Sequence, residues 1–217
     1  SGVRGYESGS CTSGSFSVSY SNADFVTGLG WSSGSDRTIS FSGSGSNLSW
    51  GPGVYGWQRS PLIEYYIGKS GGSSAGTYTC DGNSYNLNID RRYNAPSIDG
   101  TTDFDQYNVN GPRTGSKDMG CHFRAWRNLG KGGSSQDYMV VIVEGWSRNT
   151  GSASVSVPNS NWYTNWWGTG SVNFTCGGGG GGGSTTTTRS NSTTTTRSSS
   201  TTTTSSSWWW GGGTWWW

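Results

Sequence analysis

The chain has 217 residues, enough for one β-rich domain with an appendage or for two small domains. Only 12% of the residues are charged and the net charge is +2, which excludes the clustered Lys and Arg that nucleic acid or an anionic membrane surface requires. No apolar run approaches the roughly 18 residues of a membrane-spanning helix. Hydrophobic residues make up just 29% beside 38 glycines. They gather in short alternating runs, so a packed core is expected rather than disorder.

Cys11, Cys80, Cys121 and Cys176 fit no zinc-ligand spacing, and His122 is the only histidine. Two disulfides can form in any of three connectivities, and the sequence does not choose among them. Glycosylation sequons stand at Asn47-Leu48-Ser49, Asn173-Phe174-Thr175 and Asn191-Ser192-Thr193. Together these features lean toward a secreted protein. Without a signal peptide at Ser1, the chain reads as the mature form.

Strand signals begin at Phe16, Val18 and Tyr20, which alternate with serines to give one apolar and one polar face. Ile39 and Phe41 repeat the pattern, as do Tyr85, Leu87 and Ile89, and then Ala153, Val155 and Val157. Gly, Asn, Asp and Ser clusters between the runs are turns of the kind a sandwich or barrel uses. Residues 121–129 break the alternation: Phe123, Trp126 and Leu129 recur every third residue and Gly130 follows as a stop, so one short helix on the outside of a sheet is predicted. A catalytic unit is therefore assigned to residues 1–157. Residues 158–176 read as an aromatic extension of unknown role. Residues 177–207, almost wholly Gly, Ser and Thr, read as a flexible linker. The tail 208–217, with its tryptophan triplets, follows equal-length threonine runs and reads as artefactual rather than as a module.

The chain holds three glutamates, and two of them, Glu64 and Glu144, sit inside its most hydrophobic strands. Burial of a carboxylate disfavours its charge, so stability alone argues for Thr, Val or Tyr at such places. Alternation puts Glu64 on one face with Leu62 and Tyr66, and Glu144 on one face with Tyr138, Val140, Ile142 and Trp146. Aromatic rings beside carboxylates suit a polysaccharide groove, in which sugar C–H faces stack on rings. Two carboxylates without a nucleophile–histidine set or a metal cluster point to glycoside hydrolysis. Buried glutamates satisfied by Arg or backbone donors, with no chemistry to do, remain the competing account.

At these residues the sequence resembles the small β-jelly-roll endo-1,4-β-xylanases of glycoside hydrolase family eleven. Val54-Tyr55-Gly56-Trp57-Gln58-Arg59-Ser60-Pro61-Leu62-Ile63-Glu64-Tyr65-Tyr66-Ile67 is similar to the family's nucleophile segment, and Val141-Ile142-Val143-Glu144-Gly145-Trp146 to its acid/base strand. Pro96-Ser97-Ile98-Asp99-Gly100-Thr101 is similar to the loop called the thumb, and Phe104-Asp105-Gln106-Tyr107 follows at the family's spacing. The resemblance spans residues 16 to 157. It implies an all-β, two-sheet jelly roll with one short α-helix and a cleft on the concave sheet. It implies Glu64 as nucleophile and Glu144 as acid/base of a retaining hydrolase. It also implies xylan contacts from Tyr55, Tyr66, Arg92, Pro96, Ile98, Gln106, Tyr138 and Trp146. No cofactor and no metal are implied, and a monomer is expected.

Asp24 matches a position that neighbours the acid/base in the family, where aspartate goes with acidic optima. A second acid sharing a hydrogen bond with Glu144 couples the two titrations, so an acidic optimum is expected. The chain departs from the family at its start. Fifteen residues precede Phe16 and none is a Trp, so one flank of the groove is expected to be incomplete. Asn108-Val109-Asn110-Gly111 replaces the usual return strand of the thumb, and Cys121 stands beside His122 in place of an asparagine. The rival to a xylanase is a non-catalytic carbohydrate-binding jelly roll.

Overall fold

A computed structural model describes residues 5–177 and 186–189. In chain order the strands are β1 (Gly5–Ser10), β2 (Ser15–Trp31), β3 (Thr38–Ile39), β4 (Ser42–Gly45), β5 (Trp50–Arg59), β6 (Ile63–Ile67), β7 (Ser73–Cys80), β8 (Asn83–Ser97), β9 (Gly100–Asn110) and β10 (Lys117–Asp118). The helix α1 (Met119–Asn128) follows, and then β11 (Ser135–Ser156), β12 (Trp162–Cys176) and β13 (Thr186–Arg189). The main sheet runs β1-β12-β2-β11-β5-β6-β9-β8-β7, with β4 on β11 and β13 on β12. Neighbours are antiparallel except for β6 and β9, which run parallel.

Three long strands make two layers out of this network. Along β11, residues 139–144 lie between β2 and β5, while residues 153–156 lie between β2 and β4. Register shifts interrupt β11 against β2 between Gly145 and Gly151, and β12 against β2 between Trp167 and Ser171. Left-handed backbone stands at the same level in all three strands: Asn22 (φ 49°) in β2, Ser147 (64°) and Arg148 (55°) in β11, and Gly170 (77°) in β12. Bulges of this kind bend a strand and raise its twist. Here the bend carries each strand from one layer into the other, which produces the expected sandwich.

The core fills the space between the layers. Phe16, Val18 and Tyr20 of β2 meet Val155 of β11 and Phe174 of β12, and all are buried. Odd-numbered Met139, Val141 and Val143 of β11 point into this core, while Val140 and Ile142 point to a second cluster on the opposite face, with Trp50, Tyr55, Trp57 and Tyr66. Both faces of β11 are therefore covered here, which accounts for its unbroken apolar run.

The helix forms as predicted but starts earlier, at Met119. Asp118 caps it, its carboxylate accepting from the Cys121 N–H at 3.0 Å. Phe123 and Trp126 pack on Tyr65, with ring centroids 5.6 and 5.5 Å apart. Of the three possible pairings the disulfides are Cys11–Cys176 and Cys80–Cys121.

The division at residue 157 is not kept. Trp162–Cys176 is the strand β12, hydrogen-bonded between β1 and β2, so it belongs to the sheet rather than extending from it. Within the expected linker, Thr186–Arg189 pairs with β12 as β13. The remaining expectations for the linker and the tail fall on residues outside those described.

Candidate active site

The second cluster floors a face on which the sheet register aligns the expected residues. Trp57 of β5 pairs with Glu64 of β6, and Glu64 pairs with Gln106 of β9. On the other side Trp50 of β5 pairs with Glu144 of β11, and Glu144 pairs with Val26 of β2. Tyr55 of β5 joins the two rows, because it pairs with Tyr66 of β6 and with Val140 of β11, which share the faces of Glu64 and Glu144, so the two carboxylates point to the same side of the sheet.

Glu64 is 8% exposed and has a full set of donors. Its Oε1 accepts from Tyr55 Oη at 2.8 Å and from Tyr66 Oη at 3.2 Å, and its Oε2 accepts from Gln106 Nε2 at 2.5 Å. Behind Tyr55, Trp57 Nε1 donates to its hydroxyl at 2.8 Å and to the Tyr138 hydroxyl at 3.2 Å. Burial, helped by the Glu64 charge, holds the Tyr55 hydroxyl well above its ordinary pKa, so it stays a donor. The competing account of a glutamate satisfied by Arg or backbone groups does not describe Glu64. Its donors are two phenols and an amide.

Glu144 is 2% exposed and differently surrounded. Trp146 Nε1 donates to its Oε2 at 3.2 Å, and Lys69 Nζ lies 3.9 Å from the same oxygen. Burial pushes the Glu144 carboxyl above the usual carboxylate range. The Lys69 charge and the Trp146 hydrogen bond pull it back, the Glu64 charge adds to the rise, and the nearby Tyr66 hydroxyl lowers it. The Tyr66 hydroxyl is thus bonded to Glu64 and close to Glu144. Lys69 is fixed over the Tyr66 ring, 3.7 Å from its centroid.

The other expected contacts are spread more widely. Arg92 is the register partner of Phe104, two residues before Gln106, and pairs with Asp90 at 3.4 Å. Pro96 and Ile98 lie at the tip of the β8–β9 hairpin, and Ile98 packs on the second cluster. That tip is tethered, because Asp99 pairs with Arg59 at 2.7 Å and Arg59 pairs with Asp137 of β11 at 2.8 Å. Asp24 lies on the Glu144 face, two residues before Val26. The hydrogen bond expected to Glu144 is replaced by others: Asp24 Oδ1 accepts from the Arg148 N–H and Oδ2 from the Thr169 hydroxyl, both at 2.9 Å.

Two aromatic residues outside the expected set line the same face. Trp166 pairs across β2 with Val26, in the row of Glu144, and Trp162 pairs with Gly30, in the row of Val140. Trp166 packs on Trp146 with centroids 5.5 Å apart, and Trp162 packs on Tyr138 at 5.4 Å. The flank left without an N-terminal tryptophan is thus furnished from the other end of the chain. A signal was present: Trp162, Thr164 and Trp166 share one face of any strand through this segment. The short β2 side chains between complete the trough, since a Cβ at Gly30 would strike the Met139 carbonyl.

Because Lys69 favours the charged form of Glu144, replacing it with Met should raise the carboxyl's pKa further. The carboxyl resonance of Glu144, followed by carbon NMR, is expected to titrate at higher pH in Lys69→Met than in the parent. An unchanged midpoint would show that Lys69 does not act on Glu144.

Comparison with known proteins agrees with this geometry. The family model described as glycosyl hydrolases family 11 matches residues 3–156. The chain is 43% identical over 162 residues to ethylene-inducing xylanase 1 of Verticillium dahliae, covering 66% of this chain and 70% of that protein. It is 45% identical over 157 residues to endo-1,4-beta-xylanase 1 of Hypocrea jecorina, covering 66% and 68%. Against endo-1,4-beta-xylanase 11B of Humicola insolens, 41% identical over 161 residues and 66% of this chain, it spans 54% of the relative's length. A solved endo-1,4-beta-xylanase structure from Trichoderma reesei superimposes with a TM-score of 0.60 at 39% identity, over 73% of this chain and 94% of that one. The chain belongs to glycosyl hydrolases family 11.

Proposed function

We propose that the protein is an endo-1,4-β-xylanase that cleaves internal xylan linkages with retention of configuration. The observation that carries this reading is the pair of buried glutamates on one sheet face, with the Tyr66 hydroxyl bonded to one and close to the other, and with unlike surroundings. A hydroxyl near both acids implies that they are close, which favours the spacing of about 5–5.5 Å that retaining enzymes use over the wider gap of inverting ones.

The unlike surroundings separate the roles. Glu64, held by Tyr55, Tyr66 and Gln106, attacks the anomeric carbon as a carboxylate and forms a glycosyl ester. Glu144, whose burial favours the protonated form, gives its proton to the departing oxygen. It then takes a proton from the water that opens the ester. Trp162, Trp166 and Trp146 offer ring faces along one flank for the sugar chain, and the tethered hairpin with Pro96 and Ile98 stands over the other. Xylose lacks the hydroxymethyl group with which glucose would crowd under that hairpin. The two disulfides fit an oxidising compartment outside the cell, where the protein would meet polymeric xylan as a monomer.

Reducing ends released from xylan across pH 3 to 8 test the chemistry. Glu64→Gln and Glu144→Gln should each lower kcat on the order of 100- to 10,000-fold, with the parent active. A parent that binds xylan and releases nothing would establish the carbohydrate-binding alternative. Trp166→Ala should raise KM roughly 3- to 10-fold through the lost ring contact while moving kcat less. An unchanged KM would take β12 out of the substrate path. Asp24, an acid on the Glu144 face, is the residue through which we place the optimum on the acidic side. In Asp24→Asn that optimum should move toward neutral, and coincident profiles would remove the role.

A further inference from the structure

Beside Glu144 lies a cavity of about 520 Å³ whose lining does not include Glu64 and whose charge balance is at odds with the step Glu144 performs. Its walls include the rings of Trp50 and Trp146 and the hydroxyls of Ser49 and Ser147, and two cations, Lys69 and Arg113, reach it. Glu144 is the single acid among the described residues that line it. Lys69 pairs with Glu144 at 3.9 Å. Arg113 takes part in no ion pair among the described residues, and its buried Nε has no hydrogen-bond partner. Its stem is fixed, because Cα, Cβ and Cγ press on the backbone of Gly68, where no side chain could fit.

A buried guanidinium N–H without an acceptor is costly, and such groups are normally paired. The imbalance grows when the enzyme is ready to react. Glu144 must then be protonated and neutral, so no carboxylate among the described lining residues faces Arg113. We infer that this cavity receives a carboxylate carried by the substrate, namely a uronic acid branch on a xylan sugar next to the bond being cleaved. The guanidinium supplies directed donors to the carboxylate, Lys69 supplies a point charge, and Trp50 and Trp146 supply faces for the branching sugar. A cavity of this size takes one sugar residue and still holds water. The acidic branch would fit best in the protonation state that cleavage needs, so its binding and the first proton transfer reinforce each other.

This inference rests on the xylanase reading and is separable from it. Three xylo-oligosaccharides of equal length would be compared by kcat/KM at low ionic strength. The first is linear, the second carries one uronic acid branch, and the third carries the same branch as its methyl ester. The acid-branched substrate should be cleaved with kcat/KM roughly 3- to 10-fold above its ester, and the gap should shrink in salt. In Arg113→Gln the ratio of acid to ester should fall toward one. Equal rates for acid and ester in the parent, or a ratio that Arg113→Gln leaves intact, would overturn the assignment while leaving the hydrolase in place. If the linear oligosaccharide is not cleaved at all, it is the xylanase reading that fails.

Discussion

The Tyr66 hydroxyl donates to Glu64 at 3.2 Å and lies close to Glu144, so a single phenol stands beside two acids that repel one another across a dry surface. Like charges this close cannot both be ionised cheaply in a low dielectric, and one of them is driven toward its neutral form. Which one is decided by the company each keeps. Glu64 draws on three neutral donors from β5, β6 and β9. Glu144 has an indole and one ammonium at 3.9 Å. The proposed division into nucleophile and proton donor rests on this unequal provision. It would be lost if either set of donors shifted by one strand position.

Strand register secures that provision over long stretches of chain. Val140 and Ile142 face the groove while Met139, Val141 and Val143 face the core, so the position of Glu144 is tied to the packing of its neighbours. A slip of one residue would carry Glu144 into the core and expose Val143, which the core burial forbids. The same holds for β12, whose Thr164 faces the groove between the two tryptophans while Tyr163 packs on Phe174 in the second layer, with ring centroids 4.9 Å apart. The face that carries the two glutamates and the hydrophobic core are two sides of the same strands.

The legible parts of the site were those where local pattern conflicts with local chemistry. A glutamate in the run Leu62 to Ile67, and another after Val143, each stand out because burial of a carboxylate is disfavoured. The rings two residues away on the same face could also be placed. The helix was readable from three apolar residues and a stop, whereas its true start depended on the Asp118 cap, which periodicity does not report. The strand β12 was passed over for a physical reason. Adjacent aromatic pairs, Trp162-Tyr163 and Trp166-Trp167, mask alternation when both faces of a strand are covered, and its partner β2 lies more than a hundred residues away. Lys69 was hidden in a turn, Gly68-Lys69-Ser70, whose sequence gives no hint that it folds back over Tyr66.

The late position of β12 in the chain also bears on how the groove holds together. Its N-terminal half supplies Trp162 and Trp166, and its C-terminal end is tied by the Cys11–Cys176 disulfide to the segment between β1 and β2. Chain closure therefore occurs across the groove flank itself, joining residues 165 apart in sequence. A cross-link over so long a loop removes a large share of the unfolded chain's freedom, worth about 4–5 kcal/mol in the chain-entropy account. It acts on the edge of the sheet, where β1 offers only six residues of pairing to β12. An edge held by a short strand alone would fray first. Here the fraying edge is also the wall on which Trp166 stacks against Trp146, and Trp146 in turn donates to Glu144. The cross-link that steadies the chain end thus also steadies the hydrogen bond on Glu144.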